Sequence, residues 1–128
     1  MASGTMTNND VEVALPNVEG RTWRRACAAH DVPEDEGLCL GTLPPVSVFL
    51  TEGEYFCIDD TCTHETYSLA DGWVADGFVE CALHLAKFNL RTGEPLAPPA
   101  TTAVAVHPVA LVDGVLYVAL PSTYLIKE

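Results

Sequence analysis

Four side chains in one stretch could share a metal. The stretch runs Cys62-Thr63-His64, sixteen further residues, then Cys81-Ala82-Leu83-His84. Thiolate sulfur and imidazole nitrogen are the donors of a tetrahedral Zn²⁺ site or of an iron–sulfur cluster. Structural zinc sites usually keep like ligands together, two Cys on one turn and two His on another. Here each short clip mixes one Cys with one His, and a single residue separates the first pair. Both readings remain at this point, a cluster and a zinc-stabilised interaction domain.

Elements able to hold two such clips can be read around them. Trp23 to Ala28, Leu38 to Leu43, Val46 to Thr51 and Glu54 to Asp59 are short apolar runs separated by turn residues. An acidic turn, 31–37, follows the first run, Pro44-Pro45 ends the second, and Glu52-Gly53 joins the last two into a hairpin. After the first clip comes a polar turn, 68–72, then Trp73 to Ala75 and Phe78 to Glu80 around Asp76-Gly77. That second hairpin feeds Cys81. Lys87 to Leu90 continues to a turn at 91–94, and Pro98-Pro99 stiffens the stretch beyond. Val104 to Val112 and Val115 to Leu120 flank Asp113-Gly114, a strong hairpin signal. No window has a sustained helical period. The pattern predicts an all-β, antiparallel sandwich with both clips on loops at one end.

The chain has 128 residues, room for one domain. We divide it into an N-terminal extension (1–20), a domain (21–121) and a C-terminal tail (122–128). Eighteen acidic residues against six basic leave a formal charge of −12. That balance argues against nucleic acid or anionic lipid as a partner and for a basic protein surface. No secretory signal is read, because the first thirty residues lack a positively charged start followed by an apolar stretch, and no membrane span, because 103–120, the most apolar stretch, is interrupted by His107, Pro108, Asp113 and Gly114. Beyond Cys62 and Cys81, the odd set Cys27, Cys39 and Cys57 reads as reduced and mostly buried thiols of a cytoplasmic protein.

The remaining conspicuous residues have plain readings. Trp73 reads as a packed aromatic, His107 as an ordinary surface or edge histidine, His30 as a loop residue without a motif partner, and Cys57 as a small buried apolar group. Asp59, Asp60, Glu65, Asp71, Asp76 and Glu80 read as a solvated rim around the clips, able to steer a basic partner.

Taken together, 59–65, Ser68-Leu69, 81–84, Lys87-Phe88, Arg91-Thr92-Gly93 and Pro98-Pro99 resemble the Rieske-type ferredoxins, in particular the ferredoxin components of bacterial aromatic-ring-hydroxylating dioxygenases. The resemblance covers roughly residues 23–120. Tyr67, and Leu85-Ala86 after the second His, depart from the common pattern. The resemblance implies a Rieske-like β-sandwich with a cluster-binding loop subdomain. It implies a [2Fe–2S] cluster with Cys62 and Cys81 on one iron and His64 and His84 on the other. The implied role is a soluble monomeric one-electron carrier, not an enzyme, between an NADH-dependent flavin reductase and a terminal oxygenase. A bound Rieske small subunit of a nitrite reductase, or of another multicomponent oxidoreductase, is the alternative. High-potential respiratory relatives carry Ser and Tyr two and four residues after the second ligand His. Ala86 and Phe88 stand there instead, which implies a low potential.

Overall fold

The computed structural model describes residues 15–62, 67–81, 86–97 and 102–126. They form thirteen strands in chain order: β1 (Arg21–Ala28), β2 (Glu36–Leu40), β3 (Thr42–Leu43), β4 (Val46–Thr51), β5 (Glu54–Asp59), β6 (Trp73–Ala75), β7 (Phe78–Glu80), β8 (Lys87–Asn89), β9 (Pro95–Ala97), β10 (Val106–His107), β11 (Val109–Val112), β12 (Val115–Pro121) and β13 (Leu125–Ile126). Single 3₁₀ turns cover Ala29–Asp31 and Leu69–Asp71. The all-β antiparallel expectation holds. Among the described residues no helix is long and apolar enough to cross a membrane.

Eleven of these strands build three layers, and β3 and β13 form a separate two-stranded sheet. A sheet in the order β1-β12-β11 faces a sheet in the order β10-β5-β4-β2, and β6-β7-β8-β9 forms a third. The layer between is set by β4 and β5. Val46, Val48 and Cys57 point one way and bury with Cys27, Leu116, Val118 and Leu120. Phe49 and Ile58 point the other way and bury with Val74, Val79 and Phe88 of the third sheet. Because successive side chains alternate between faces, a strand covered on both sides is apolar except where a buried polar side chain finds a partner. Val46-Ser47-Val48-Phe49 is fully buried in this way, with Ser47 donating to Asp60 Oδ1. β12 follows the same rule. Its outer residues Tyr117 and Ala119 are covered by Trp23, with Leu15 and Val18 packed alongside.

Three hairpins close through two-residue turns with left-handed backbone at both positions: Glu52-Gly53, Asp76-Gly77 and Asp113-Gly114. This is the type I′ geometry whose twist matches the flanking strands, and it explains why those boundaries were legible. Other boundaries moved. The second predicted strand breaks at Gly41 into β2 and β3, and β2 begins at Glu36, inside the stretch read as a turn. Pro108, which has no N–H to offer a ladder, splits the predicted strand 104–112 into β10 and β11. Within the stretch assigned to a C-terminal tail, β13 pairs with β3 and Tyr124 joins a buried network. Within the stretch assigned to the N-terminal extension, Pro16 O accepts a hydrogen bond from Trp23 Nε1 at 2.8 Å.

Candidate metal centre

Both candidate thiols lie in one buried cluster. Cys62 follows the end of β5 and Cys81 follows β7; they are 2% and 0% exposed and pack with Leu69, Val79, Ala86 and Phe88. His64 and His84, the other two candidate ligands, lie outside the described residues, as do Glu65, Leu85 and Pro98-Pro99. Among the described residues alone, no group of three His, Cys, Asp or Glu side chains could hold a metal ion.

The two clips are closed in the same way. Cys62 N donates to Tyr67 O at 2.9 Å, and Cys81 N donates to Ala86 O at 2.6 Å. Each Cys thus opens a loop that its own amide closes on the carbonyl five residues later. An antiparallel pair stands outside each closure, Thr61 opposite Ser68 and Glu80 opposite Lys87. Two loops of equal size present one buried sulfur each, and each has one His within its span in the sequence. Among the described residues no disulfide joins the cysteines. Soft buried thiols at the mouths of matched loops fit a cluster better than a zinc turn that gathers like ligands.

The supports of these loops were only partly foreseen. Asp60 was read as part of a solvated rim, yet it is 4% exposed. Its Oδ1 accepts hydrogen bonds from Ser47 Oγ at 2.5 Å, Ser68 Oγ at 2.9 Å and Ala70 N at 3.0 Å. Its backbone N donates to Pro45 O at 3.0 Å and its carbonyl accepts from Leu69 N at 2.7 Å. A buried carboxylate is tolerable only when so satisfied. Asp71 and Asp76 do stand in solvent, and Glu80 is half-buried.

His107 also departs from expectation. It is on an edge strand but buried at 5%, because β10 pairs His107 with Cys57 on the inner side. Its ring bridges Asp59 and Arg21, and Tyr124 stacks edge-on against it. Trp73 is the opposite case, 61% exposed where packing was expected, since Val74 takes the inward position of that short strand. Of the three other thiols, Cys27 and Cys57 are buried, burial pushing both upward in pKa, while Cys39 is exposed. His30 stands in solvent beside Asp31.

The segment after the second clip is locked by its own turn. Asn89 Oδ1 accepts from Arg91 N at 2.7 Å and Thr92 N at 3.2 Å. Arg91 reaches back to pair with the Glu54 carboxylate and lies over Phe56. That exposed pair holds the Glu54 carboxyl below its usual range.

Comparison with known proteins agrees with this geometry. Residues 22–108 match the Rieske [2Fe-2S] domain. The 3-phenylpropionate/cinnamic acid dioxygenase ferredoxin subunit of Shigella flexneri serotype 5b is 40% identical over 97 residues, 75% of this chain and 92% of that one. The same subunit of Escherichia coli K12 gives equal figures. Among solved structures, Sphingomonas yanoikuyae B1 ferredoxin superposes with a TM-score of 0.72 at 29% identity, covering 77% of this chain and 98% of its own. The complex of reduced oxygenase and oxidized ferredoxin in carbazole 1,9a-dioxygenase contains a chain with a TM-score of 0.72 at 31% identity, covering 76% and 92%.

Proposed function

This chain belongs to the Rieske [2Fe-2S] domain family, and from that premise we propose that it is the ferredoxin component of a bacterial dioxygenase system, with Cys62, His64, Cys81 and His84 holding the cluster. It takes single electrons from an NADH-dependent flavin reductase and delivers them to a terminal oxygenase that acts on an aromatic ring. It works as a monomer in the cytoplasm and is not itself the catalyst. The observation that carries the reading is the matched pair of closed loops, Cys62 to Tyr67 and Cys81 to Ala86, with both sulfurs buried in one cluster. The relatives that support the partner are ferredoxin subunits by name, and one solved neighbour is a ferredoxin bound to its oxygenase.

When bound, the cluster accepts and returns one electron, and imidazole in place of thiolate on one iron sets its potential at about −150 to +300 mV, above that of all-Cys plant ferredoxins. The chain's own residues do the rest. Cys62 and Cys81 keep the thiolates out of water, Leu69, Val79 and Phe88 wall that side of the site, and the backbone closures keep the loops from spreading.

Purified protein should contain iron and acid-labile sulfide in equal amounts and accept one electron from NADH through a flavin reductase. Zinc without sulfide overturns the proposal. So does an intact cluster that no flavin reductase can reduce.

A further inference from the structure

We infer that Asp60 is a positioning residue for the cluster, one that ties the first ligand loop shut and holds a fixed negative charge beside Cys62 that keeps the reduction potential low. The inference rests on the cluster reading above and adds to it a residue outside the four ligands.

The tie is visible in the bonds. Asp60 is two residues before Cys62, and its side chain gathers Ser47 from β4, Ser68 from the return leg of the first loop and Ala70 from the 3₁₀ turn. Its backbone adds Pro45 and Leu69. Loop entry, loop exit and the central sheet therefore meet at one carboxylate.

The charge is the less obvious half. Among the described residues, the donors to Asp60 Oδ1 are two hydroxyls and one backbone amide, all neutral, so these hydrogen bonds stabilise the carboxylate without cancelling its charge. Asparagine could supply one acceptor oxygen to the same three donors, so the tie by itself does not require a charge. In a partly desolvated site that charge reaches its neighbours. Two residues of chain span at most about 7 Å. Unit charges about 10 Å apart at an effective dielectric near 20 shift an equilibrium on the order of tenfold. A reduced cluster gains one negative charge, so Asp60 disfavours reduction.

The test is voltammetry on holoprotein, after iron and sulfide analysis of every variant. Asp60→Asn keeps the acceptor and removes the charge, so reduction should become roughly tenfold more favourable, about 59 mV for one electron. Asp113→Asn makes the same net-charge change in an exposed turn and should leave the potential in place. Ser68→Ala keeps the charge and removes one donor, so the potential should fall rather than rise. Fully loaded Asp60→Asn at the wild-type potential overturns the inference, as does an equal rise in Asp113→Asn. Should Asp60→Asn not retain the cluster, Ser68→Ala decides, and an unchanged or raised potential there overturns it. A wild type without sulfide refutes the cluster reading instead.

Discussion

His107 donates from Nε2 to Asp59 Oδ1 across 2.9 Å, joining strands 48 positions apart in sequence. Arg21 can only donate, and its NH1 lies 2.7 Å from His107 Nδ1, so Nδ1 is the acceptor and Nε2 carries the hydrogen. Tyr124 OH completes the group by donating to both oxygens of Asp59, at 2.9 and 3.1 Å. The C-terminal segment is thereby fastened to the strand that leads into the first ligand loop.

This network makes stability depend on pH at the alkaline end. Burial, then the hydrogen bond to Asp59 and its charge, push the Tyr124 hydroxyl up to about 12. An unfolded tyrosine titrates near 10. The folded pKa is above the unfolded one, so the contribution is complete below about pH 10 and is lost as pH rises towards 12. Tyr124→Phe should be less stable by roughly 1–2 kcal/mol at pH 8, allowing for partial exposure. That gap should close by pH 12. Urea unfolding of both proteins at pH 8 and pH 11 checks it, and a gap that stays constant contradicts it.

Gly72 is required for space rather than for conformation. Its φ is an ordinary −87°, but a Cβ there would run into the Glu80 carbonyl, the residue just before Cys81. Gly72→Ala should therefore cost about 2 kcal/mol or more and lower cluster content. Gly77→Ala meets nothing within 4 Å and pays only for its left-handed φ of 83°, about 1–2 kcal/mol. Thermal unfolding with iron analysis separates the two. Equal iron loss in both variants would refute the collision argument.

The two tryptophans should behave oppositely. Trp23 is 9% exposed and hydrogen-bonded, whereas Trp73 is 61% exposed. Trp23→Ala should cost roughly 3–5 kcal/mol, and Trp73→Ala should stay within about 0.5 kcal/mol. Acrylamide should quench Trp73 emission far more than Trp23 emission, as each single-Trp variant will report. A destabilised Trp73→Ala would return that residue to the core.

How these residues divide shows what a sequence carries. The strand ends that meet at Glu-Gly or Asp-Gly were legible to the residue, because a type I′ turn allows few dipeptides. Spacing singled out Cys62 and Cys81, which share one buried cluster, together with His64 and His84, which lie outside the described residues. Trp73 was not legible, since three residues are too few to fix which face of the pleat points inward. His107 was missed because its partners Arg21, Asp59 and Tyr124 are distant in sequence, and an exposed edge and a buried edge read alike. Asp60 was hidden for a similar reason. Next to five other rim carboxylates, only the tertiary approach of Ser47 and Ser68 distinguishes it.

The last prediction concerns Ala86 and Phe88, which are both fully buried against the same cluster of residues as Cys62 and Cys81. At these positions respiratory relatives present hydroxyls to cluster and thiolate sulfurs. Neither side chain here has a donor, so the added charge of the reduced state goes without two hydrogen bonds. The wild-type potential should therefore be below 0 mV, towards the bottom of the Rieske range of about −150 to +300 mV. A hydrogen bond to a charged group is worth roughly 1.5–3 kcal/mol, and tenfold in a one-electron equilibrium is about 59 mV. Ala86→Ser combined with Phe88→Tyr should thus raise the potential by roughly 100–250 mV, with backbone donors compensating in part. Burial sharpens the test. A hydroxyl placed in a fully buried site either finds an acceptor or costs about 1–3 kcal/mol of stability. Cys81 N already donates to Ala86 O at 2.6 Å, so the backbone at that position is held beside the thiol. Voltammetry and thermal unfolding on fully loaded protein read both quantities. A wild type well above 0 mV, or a stable double variant whose potential does not move, refutes the argument.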